Sequence, residues 1–175
     1  MPPDPTCRAY RFRPVTRADL PRLALWLAQP HIQAWWGPVD DEIDGIAAAI
    51  DSVETRPMIV ELDGEPIAYA QSYDPHLQAG HPYQDQPKGT LGIDLSIGPA
   101  DRLGQGHGSA IARALAAKLF AEGTTRIVID PHPDNSRAIR AYEKAGFRLL
   151  DRRTTIYGPA HFMALDDETQ RLDEE

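Results

Sequence analysis

The segment Leu103 to Gly108 contains three glycines that alternate with Gln105 and His107, and an apolar helical pattern follows directly. Amides at the start of a helix have no partner inside the helix, and the helix dipole makes that end partly positive. Because glycine lets the backbone approach an anion closely, this segment can bind a pyrophosphate. A simple glycine-rich turn into a helix explains the same residues about equally well.

Two standard nucleotide-binding motifs fit this segment poorly. A P-loop ends in Gly-Lys-Ser or Gly-Lys-Thr, and the sequence contains neither tripeptide. A Rossmann unit needs an early βαβ element with a ribose-binding acid, and the strand pattern before the loop does not begin one. The neighbouring motifs must therefore indicate which pyrophosphate compound binds.

Two aspartates in apolar strand patterns have residue types suited to proton transfer or cation binding. Asp94 lies within TLGIDLSIG, where partial burial would raise its pKa and let it accept a proton, directly or through water. From the residues alone, a solvent-facing strand carboxylate or a cap of the glycine loop is the more ordinary interpretation. Asp130 ends the strand pattern RIVID at its carboxyl edge, where it can bind a cationic amine or can form a turn before Pro131.

The elements that must position these residues follow from periodicity and from cap and turn signals. A long connection, Asp74 to Gly89, is rich in Pro, Gly, His and Gln and is either mobile or part of a binding surface. The order predicts one mixed α/β fold. The expected strands are Tyr10 to Val15, one on each side of Asp63-Gly64, Thr90 to Gly98, Arg126 to Asp130, and a final pair around a turn at Gly158-Pro159. The expected helices are one from a Thr16 and Asp19 cap through HIQAWWG, then Asp40 to Ser52, Ala110 to Glu122, and Asn135 to Ala145, which Gly146 ends.

Length, charge and cysteine content limit the possible classes of protein. The 175 residues are 42% hydrophobic, which predicts a single domain over residues 1–165 followed by an acidic tail at 166–175. No apolar run is long enough to span a bilayer, and the net charge of −8 disfavours nucleic acid as a partner. The only cysteine, Cys7, and six histidines without metal-ligand spacing predict a cytoplasmic protein with no metal site and no covalent cysteine chemistry.

Three segments, LGIDLSIG, RLGQGHGSAIARAL and DPHPDNSRAIRAYEKAGF, resemble the acetyl-coenzyme A core of the GNAT superfamily of N-acetyltransferases. HIQAWWG, GEPIAYAQSY, GID and the third of these segments are similar to the aminoglycoside 6′-N-acetyltransferase branch, over roughly Tyr10 to Leu165. The resemblance implies the GNAT fold, in which two central parallel strands splay apart, here at Asp94 to Ile97 and at Ile127 to Asp130.

The same resemblance implies a set of residues that bind acetyl-CoA. Pyrophosphate would be held by the glycine loop, the pantetheine arm would pair with the central strand, and Asn135 would lie near that arm. The wider superfamily often has Gln or Arg where this chain has Leu103. The expected cofactor-binding residues are Leu95, Ser96, Ile97, Leu103, Gly104, Gln105, Gly106, His107, Gly108, Ser109 and Asn135.

Amide formation needs a neutral amine and a proton for the departing thiolate, so the reaction uses a base and an acid. We expect Asp94 to be the base, as the resemblance also implies. In related enzymes a tyrosine at the position of Tyr142 donates a proton to the coenzyme sulfur; alternatively, this ring only packs its helix on the sheet. Acceptor binding is expected from Trp36, Gln71, Tyr73, Asp94 and Asp130, although cross-strand packing explains Gln71 and Tyr73 equally well.

The leading hypothesis is acetylation of the 6′-amine of an aminoglycoside by direct transfer in a ternary complex, by a monomer or homodimer that binds a small cationic amine. A second is acylation of a hydroxylated lysine in siderophore assembly, and another polyamine is a further possible acceptor. A third is a non-catalytic acetyl-CoA-binding module. Siderophore enzymes often use a histidine in the central strand region, where this chain has Asp94.

Overall fold

The computed structural model describes residues 9–169 and contains one seven-stranded sheet with helices on both faces. Cys7 and residues 170–175 of the expected tail lie outside this range, and the last strand includes Asp166. The strands are β1 Tyr10–Pro14, β2 Thr55–Leu62, β3 Glu65–Tyr73, β4 Thr90–Ile97, β5 Arg126–Ile129, β6 Arg148–Thr155 and β7 Gly158–Asp166; the helices are α1 Leu20–Leu27, α2 Pro30–Gln33, α3 Val39–Ala49, α4 His107–Ala121 and α5 Ser136–Ala145.

The sheet order is β1-β2-β3-β4-β5-β7-β6, and every pair is antiparallel except β4 and β5. Because side chains alternate along a strand, each strand supplies two cores. On one face, residues such as Ala70 and Ile93 pack against α4 and α5. On the other, Ile59 and Tyr69 pack against α1, α2 and α3, and Tyr73 joins a smaller cluster with Tyr83 and Phe162.

The parallel strands β4 and β5 are paired only near their beginnings. Thr90, Leu91 and Gly92 pair with Arg126, Ile127 and Val128, and no pairing follows, although β4 continues for five more residues to Ile97. Asp94 and Asp130 therefore lie just beyond the point where the strands part. This separation confirms the mixed sheet with splayed central strands that was expected from the sequence, but in β5 it begins after Val128 rather than at Ile127, because Ile127 and Val128 still pair with Leu91 and Gly92.

Turn chemistry explains the two hairpins. Asp63 and Gly64 have φ values of 52° and 79°, which is the positive-φ pair of a primed turn, as expected between β2 and β3. The last hairpin was placed wrongly, because its turn residues are Ile156 and Tyr157 while Gly158 and Pro159 already belong to β7. Gly158, with φ of 106°, supplies the left-handed residue that follows the turn rather than its centre.

Helix boundaries also differ from the expectation in several places, the simplest being α3, which ends at Ala49 rather than at Ser52. The single helix expected through HIQAWWG is two helices, α1 and α2, because Pro30 has no N–H and its ring disfavours a continuous helix there. Helix α4 begins at His107 rather than Ala110, because Gly106 takes up the left-handed conformation (φ 80°) that precedes the first turn. Gly146 ends α5 as expected, whereas Asn135 precedes the helix as its N-cap instead of being its first residue: the Asn135 Oδ1 accepts a hydrogen bond from the amide of Ala138 at 3.3 Å.

Candidate active site

A cavity of about 580 Å³ lies where β4 and β5 separate. Strands, the start of α5 and three loops all contribute to its wall, so residues far apart in the sequence meet there. Within residues 9–169, no lysine or arginine lines it. The wall includes seven residues expected from the sequence to be catalytic or to bind a ligand, namely Trp36, Gln71, Tyr73, Asp94, Asp130, Asn135 and Tyr142, together with Leu95 of the expected cofactor-binding set.

Asp94 is half-buried in this wall and is held by a short chain of hydrogen bonds. The Gln71 amide nitrogen donates to Asp94 Oδ2 at 2.7 Å, and the Tyr69 hydroxyl donates to Gln71 Oε1 at 2.6 Å. Burial, and next the charge of Asp130, raise the pKa of Asp94 to about 7. A carboxylate with this pKa can accept a proton near neutral pH.

Asp130 is the second carboxylate of the cavity. The Tyr83 hydroxyl donates a hydrogen bond to its Oδ2. Burial raises the pKa of Asp130, and the hydrogen bond from Tyr83 acts in the opposite direction. Neither Asp130 nor Asp94 forms an ion pair with a lysine or arginine within residues 9–169. Since Glu42 also lines the cavity, three carboxyl groups face a space that suits a compound with several cationic amines.

Tyr142 extends from α5 toward the same cavity. Its ring is 7% exposed, and its hydroxyl makes no hydrogen bond to another residue of the described chain. Burial, followed by the charges of Asp94 and Asp130, raises the pKa of Tyr142. The hydroxyl therefore keeps its proton and is available as a donor to a group inside the cavity.

The glycine loop before α4 has the geometry of an anion site. Gly104 and Gly106 have positive φ values of 71° and 80°, and a side chain at either position would meet no atom within 4 Å. The need for glycine is thus one of backbone conformation rather than space. The amides of these two residues and of Gly108 and Ser109 donate to no backbone carbonyl in residues 9–169, so they can hold a phosphate at the start of α4.

The side chains of this loop have other contacts. His107 is buried and its Nδ1 lies 2.8 Å from the Tyr10 hydroxyl, so only its backbone faces the loop's concave side. Gln105 donates from its side chain to the carbonyl of Asp101 at 2.6 Å. Leu103 is half-buried and its amide donates to the Ala100 carbonyl. The anion site is therefore one of backbone amides.

Strand β4 offers part of its backbone to the gap between β4 and β5. The Gly98 amide donates to the Ile67 carbonyl at 2.9 Å, and because directions alternate along a strand, Ser96 also faces β3 while Leu95 and Ile97 face the gap. The Ile97 carbonyl is already bonded to His31 Nε2 at 2.8 Å. Leu95 is thus the residue best placed to pair with an extended ligand, and the backbone of Ser96 is not directed there.

The expected acceptor-binding residues Trp36, Gln71 and Tyr73 meet in the cavity but also have structural contacts. Trp36 packs edge-on against Tyr69 with ring centres 6.1 Å apart. Tyr73 lies so close to the opposite strand that a Cβ on Gly92 would be 2.0 Å from its Cζ. Gly92 is therefore required by the tyrosine across from it.

Several cavity residues were missed by sequence reasoning. Glu42, His81 and Tyr157 come from α3, the long loop and the last hairpin. The long loop is therefore part of the cavity wall, one of the two alternatives that the sequence left open. Trp35, which belongs to the segment HIQAWWG already singled out in the sequence, also lines the cavity; it is 44% exposed and lies tilted against His132 with ring centroids 5.5 Å apart. A sequence signal existed for Tyr83, because a large aromatic residue within an otherwise polar loop favours an anchor in the core.

In the described part of the chain, no group of three or more His, Cys, Asp or Glu residues is arranged to hold a metal ion. None of the helices within residues 9–169 is long and apolar enough to cross a bilayer.

The fold and the cavity define an acyltransferase in which two strands separate beside a backbone anion site. A family profile described as an acetyltransferase (GNAT) domain matches residues 15–155. The chain belongs to this GNAT family, and it is an N-acetyltransferase by family and by fold.

The relatives narrow the class further. An "Aminoglycoside N(6′)-acetyltransferase type 1" from Klebsiella pneumoniae is 39% identical over 162 residues, covering 87% of this chain and 80% of the relative. A solved structure of AAC(6′)-Ib in complex with paromomycin and acetyl-CoA superposes with a TM-score of 0.83 at 35% identity, covering 95% of this chain and 98% of the other. A "Lysine N-acyltransferase MbtK" from Mycolicibacterium paratuberculosis is 26% identical over 165 residues, 91% of this chain and 75% of the relative.

Proposed function

We propose that this protein transfers an acetyl group from acetyl-CoA to the 6′-amine of an aminoglycoside, directly and within a ternary complex. The observation that carries the proposal is the pair Asp94 and Asp130, two half-buried carboxylates without a lysine or arginine partner at the point where β4 and β5 part. The similarity to aminoglycoside N(6′)-acetyltransferases over most of the chain supports the choice of acceptor.

The residues present fit acetyl-CoA. The amides around Gly104 to Ser109 would hold its pyrophosphate, and the backbone of Leu95 would pair with its pantetheine arm. Asn135 lines the cavity but its Oδ1 already caps α5, so its side-chain nitrogen is the group left for a ligand. When bound, acetyl-CoA supplies the activated acetyl thioester.

Two side chains would carry the protons. The carboxylate of Asp94, kept basic by burial, takes a proton from the acceptor ammonium and leaves an amine with a free lone pair. The Tyr142 hydroxyl keeps its proton until it donates to the departing sulfur. Gln71 fixes the orientation of Asp94 through its 2.7 Å hydrogen bond.

Charge would select the acceptor. An aminoglycoside has several ammonium groups, and a wall with Asp94, Asp130 and Glu42 but with no lysine or arginine from residues 9–169 can bind more than one of them. Exposed Trp35 and half-buried Trp36 can cover the apolar faces of sugar rings. We also propose a cytoplasmic location and a monomer or homodimer, as expected from the sequence.

The alternative acceptor is a lysine derivative, which is supported by the similarity to a lysine N-acyltransferase. The experiment is to incubate the purified protein with acetyl-CoA and, separately, kanamycin, tobramycin, spermidine or N6-hydroxylysine, and to follow free thiol. Thiol release with the aminoglycosides, and NMR of the product showing acetylation at the 6′-nitrogen, are the expected results. Turnover of hydroxylysine alone would establish the alternative, and no turnover with any aminoglycoside would refute the proposal.

A further inference from the structure

The long loop between β3 and β4 has an unusual anchor. It is mostly polar, yet Tyr83 at its centre is completely buried (0% exposed) and stacks on Phe162 of β7 with ring centroids 4.3 Å apart. The Arg153 guanidinium lies 4.2 Å from the centre of the Phe162 ring and forms an ion pair of 3.2 Å with Asp85 of the same loop. The loop is thus fixed to β6 and β7 at two neighbouring residues.

The Tyr83 hydroxyl has one partner, the carboxylate of Asp130. The backbone amide of Tyr83 donates to His81 Nδ1 at 3.1 Å. The His81 ring packs between the rings of Tyr83 and Tyr73, at centroid distances of 5.1 and 5.3 Å. A ring held on all of these sides leaves its hydroxyl little freedom. The geometry therefore aims one donor at Asp130 from a loop in which most other residues are exposed or half-buried.

We infer that Tyr83 is a positioning residue for acceptor binding: its hydroxyl holds the Asp130 carboxylate in the cavity, so the β3–β4 loop determines how well that carboxylate binds an amine. This inference rests on the proposed function, in which Asp130 binds a cationic acceptor. Tyr83 itself is outside the cavity wall and acts through Asp130 alone.

The groups around Asp130 determine the expected pH dependence. The titratable groups that line the cavity with Asp130 are Asp94 on β4, Glu42 on α3, Tyr73 on β3, Tyr142 on α5, His132 after β5 and His81 and Tyr157 from the loops. The Arg153 guanidinium lies 5.6 Å from the centre of the Tyr83 ring and, within residues 9–169, forms ion pairs with Asp85 and Asp151 but none with Asp130. Among the side chains, Tyr83 is the one hydrogen-bond donor to Asp130 within residues 9–169. Burial, and then Asp130 itself, raise the pKa of Tyr83, so the tyrosine remains a donor over the whole working pH range.

Removal of the Tyr83 hydroxyl shifts the pKa values of Asp130 and Asp94 in opposite directions. A donor favours the charged form, so its loss raises the pKa of Asp130 and makes Asp130 more often neutral. Because the charge of Asp130 raises the pKa of Asp94, the pKa of Asp94 then falls. Acceptor binding should therefore weaken at low pH. The pH at which Asp94 becomes active as the base should at the same time move lower. A packing defect has no reason to produce this pair of effects.

The test compares Tyr83→Phe, which keeps the stacked ring, with Tyr83→Leu, which loses it. For Tyr83→Phe the acceptor KM should rise roughly three- to tenfold at pH 6 and approach the wild-type value at pH 8.5, with the KM for acetyl-CoA unchanged. The midpoint of the kcat profile should move to lower pH. Leu119→Ala, a change in the core at the far end of α4, controls for lost stability and should shift neither quantity. If Tyr83→Phe behaves like the wild type and only Tyr83→Leu is impaired, the role is structural and the inference is wrong.

A measurement without turnover keeps this result separate from the proposed function. In protein labelled with ¹³C at the aspartate carboxyls, the Asp130 signal, assigned by its loss in Asp130→Asn, should titrate at higher pH in Tyr83→Phe by about one pH unit. An unchanged midpoint would overturn the inference even in an active enzyme. A shifted midpoint in a protein that acetylates no aminoglycoside would retain the contact and reject the proposed acceptor.

Discussion

Two pairs of aspartates in this protein occupy opposite electrostatic surroundings. Asp19 is bound by Arg13 through two hydrogen bonds of 2.8 Å, and Asp166 accepts from Arg126 at 2.6 Å and Arg148 at 2.7 Å. The hydrogen bonds of Arg13 lower the pKa of Asp19 to about 2. Asp94 and Asp130, which are also largely shielded from water, have no such partner, and burial raises the pKa of both.

The difference separates carboxylates that stabilise the fold from those suited to chemistry. A paired carboxylate has its negative charge compensated and helps to fix neighbouring elements, here β1 to the start of α1 and β5 to β6 and β7. An unpaired, shielded carboxylate costs stability when it is charged, but it can accept a proton or a cation.

The largest effect is expected from Asp94→Asn. Asparagine has nearly the same shape but cannot accept the proton, so kcat with an aminoglycoside should fall by about 10²–10⁴. Steady-state kinetics with thiol detection measures this fall. Asp44→Asn, an exposed carboxylate change on α3, is the matched control. A fall of less than about threefold would exclude Asp94 as the base.

Asp130→Asn should act mainly on acceptor binding. Losing one buried charge that faces the ammonium groups should raise the acceptor KM by about 10–100-fold. Since Asp130 no longer raises the pKa of Asp94, the rise of kcat with pH, expected near pH 7 in the wild type, should move to lower pH. Kinetics from pH 5 to 9 tests both points, and an unchanged KM would separate Asp130 from acceptor binding.

Asp94→Asn should also stabilise the protein at high pH. The raised pKa means that Asp94 contributes full stability below about pH 4 and loses it as the pH rises through about 7. At pH 8.5 the variant should unfold with a free energy about 1–2 kcal/mol higher than the wild type, and the difference should shrink by pH 5. Urea unfolding measures it. A less stable variant at pH 8.5 would contradict the cost assigned to the unpaired charge.

Asp19→Asn should show the reverse pattern with the smallest effect. It weakens the contact to Arg13, so the free energy of unfolding at pH 7 should fall by about 1 kcal/mol, with kcat and KM unchanged. The pKa of Asp19 is lowered on folding, so its contribution is present above about pH 4 and is lost as the pH falls toward 2. Unfolding curves at pH 7 and pH 3 measure this loss; a variant with full stability but reduced activity would invalidate the comparison.

Local sequence patterns predicted the elements that hold the site. The strand around Asp94, the helix capped by Asn135 and the glycine loop each depend on residues within about one turn or strand of one another. The resemblance to GNAT enzymes, rather than these patterns, singled out Asp94 and Tyr142, and the structure brings both together with Asp130 in the wall of one cavity. Their catalytic and binding roles stay predictions that the variants above must test.

The sequence patterns did not predict which distant elements pack together around the cavity. Glu42 reaches the cavity because α3 packs on β2 and β3, and Tyr157 reaches it because the last hairpin bends beside the long loop. Neither position has a periodicity that differs from an ordinary surface residue. The helix break at Pro30 was visible in the sequence but was outweighed by the apolar spacing on both sides of it.

The separation of β4 and β5 divides the sheet into two parts, and each part is built from one continuous segment of the chain. Residues 10–97 form the strands on one side and residues 126–166 those on the other, joined in the sheet by three residue pairs. A molecule that pairs with the open edge of β4 would therefore link the first and second halves of the polypeptide. The binding free energy of this molecule would be coupled to the stability of the contact between the two halves. Slower amide hydrogen exchange on both sides of the opening, when the compound is added, would measure this coupling.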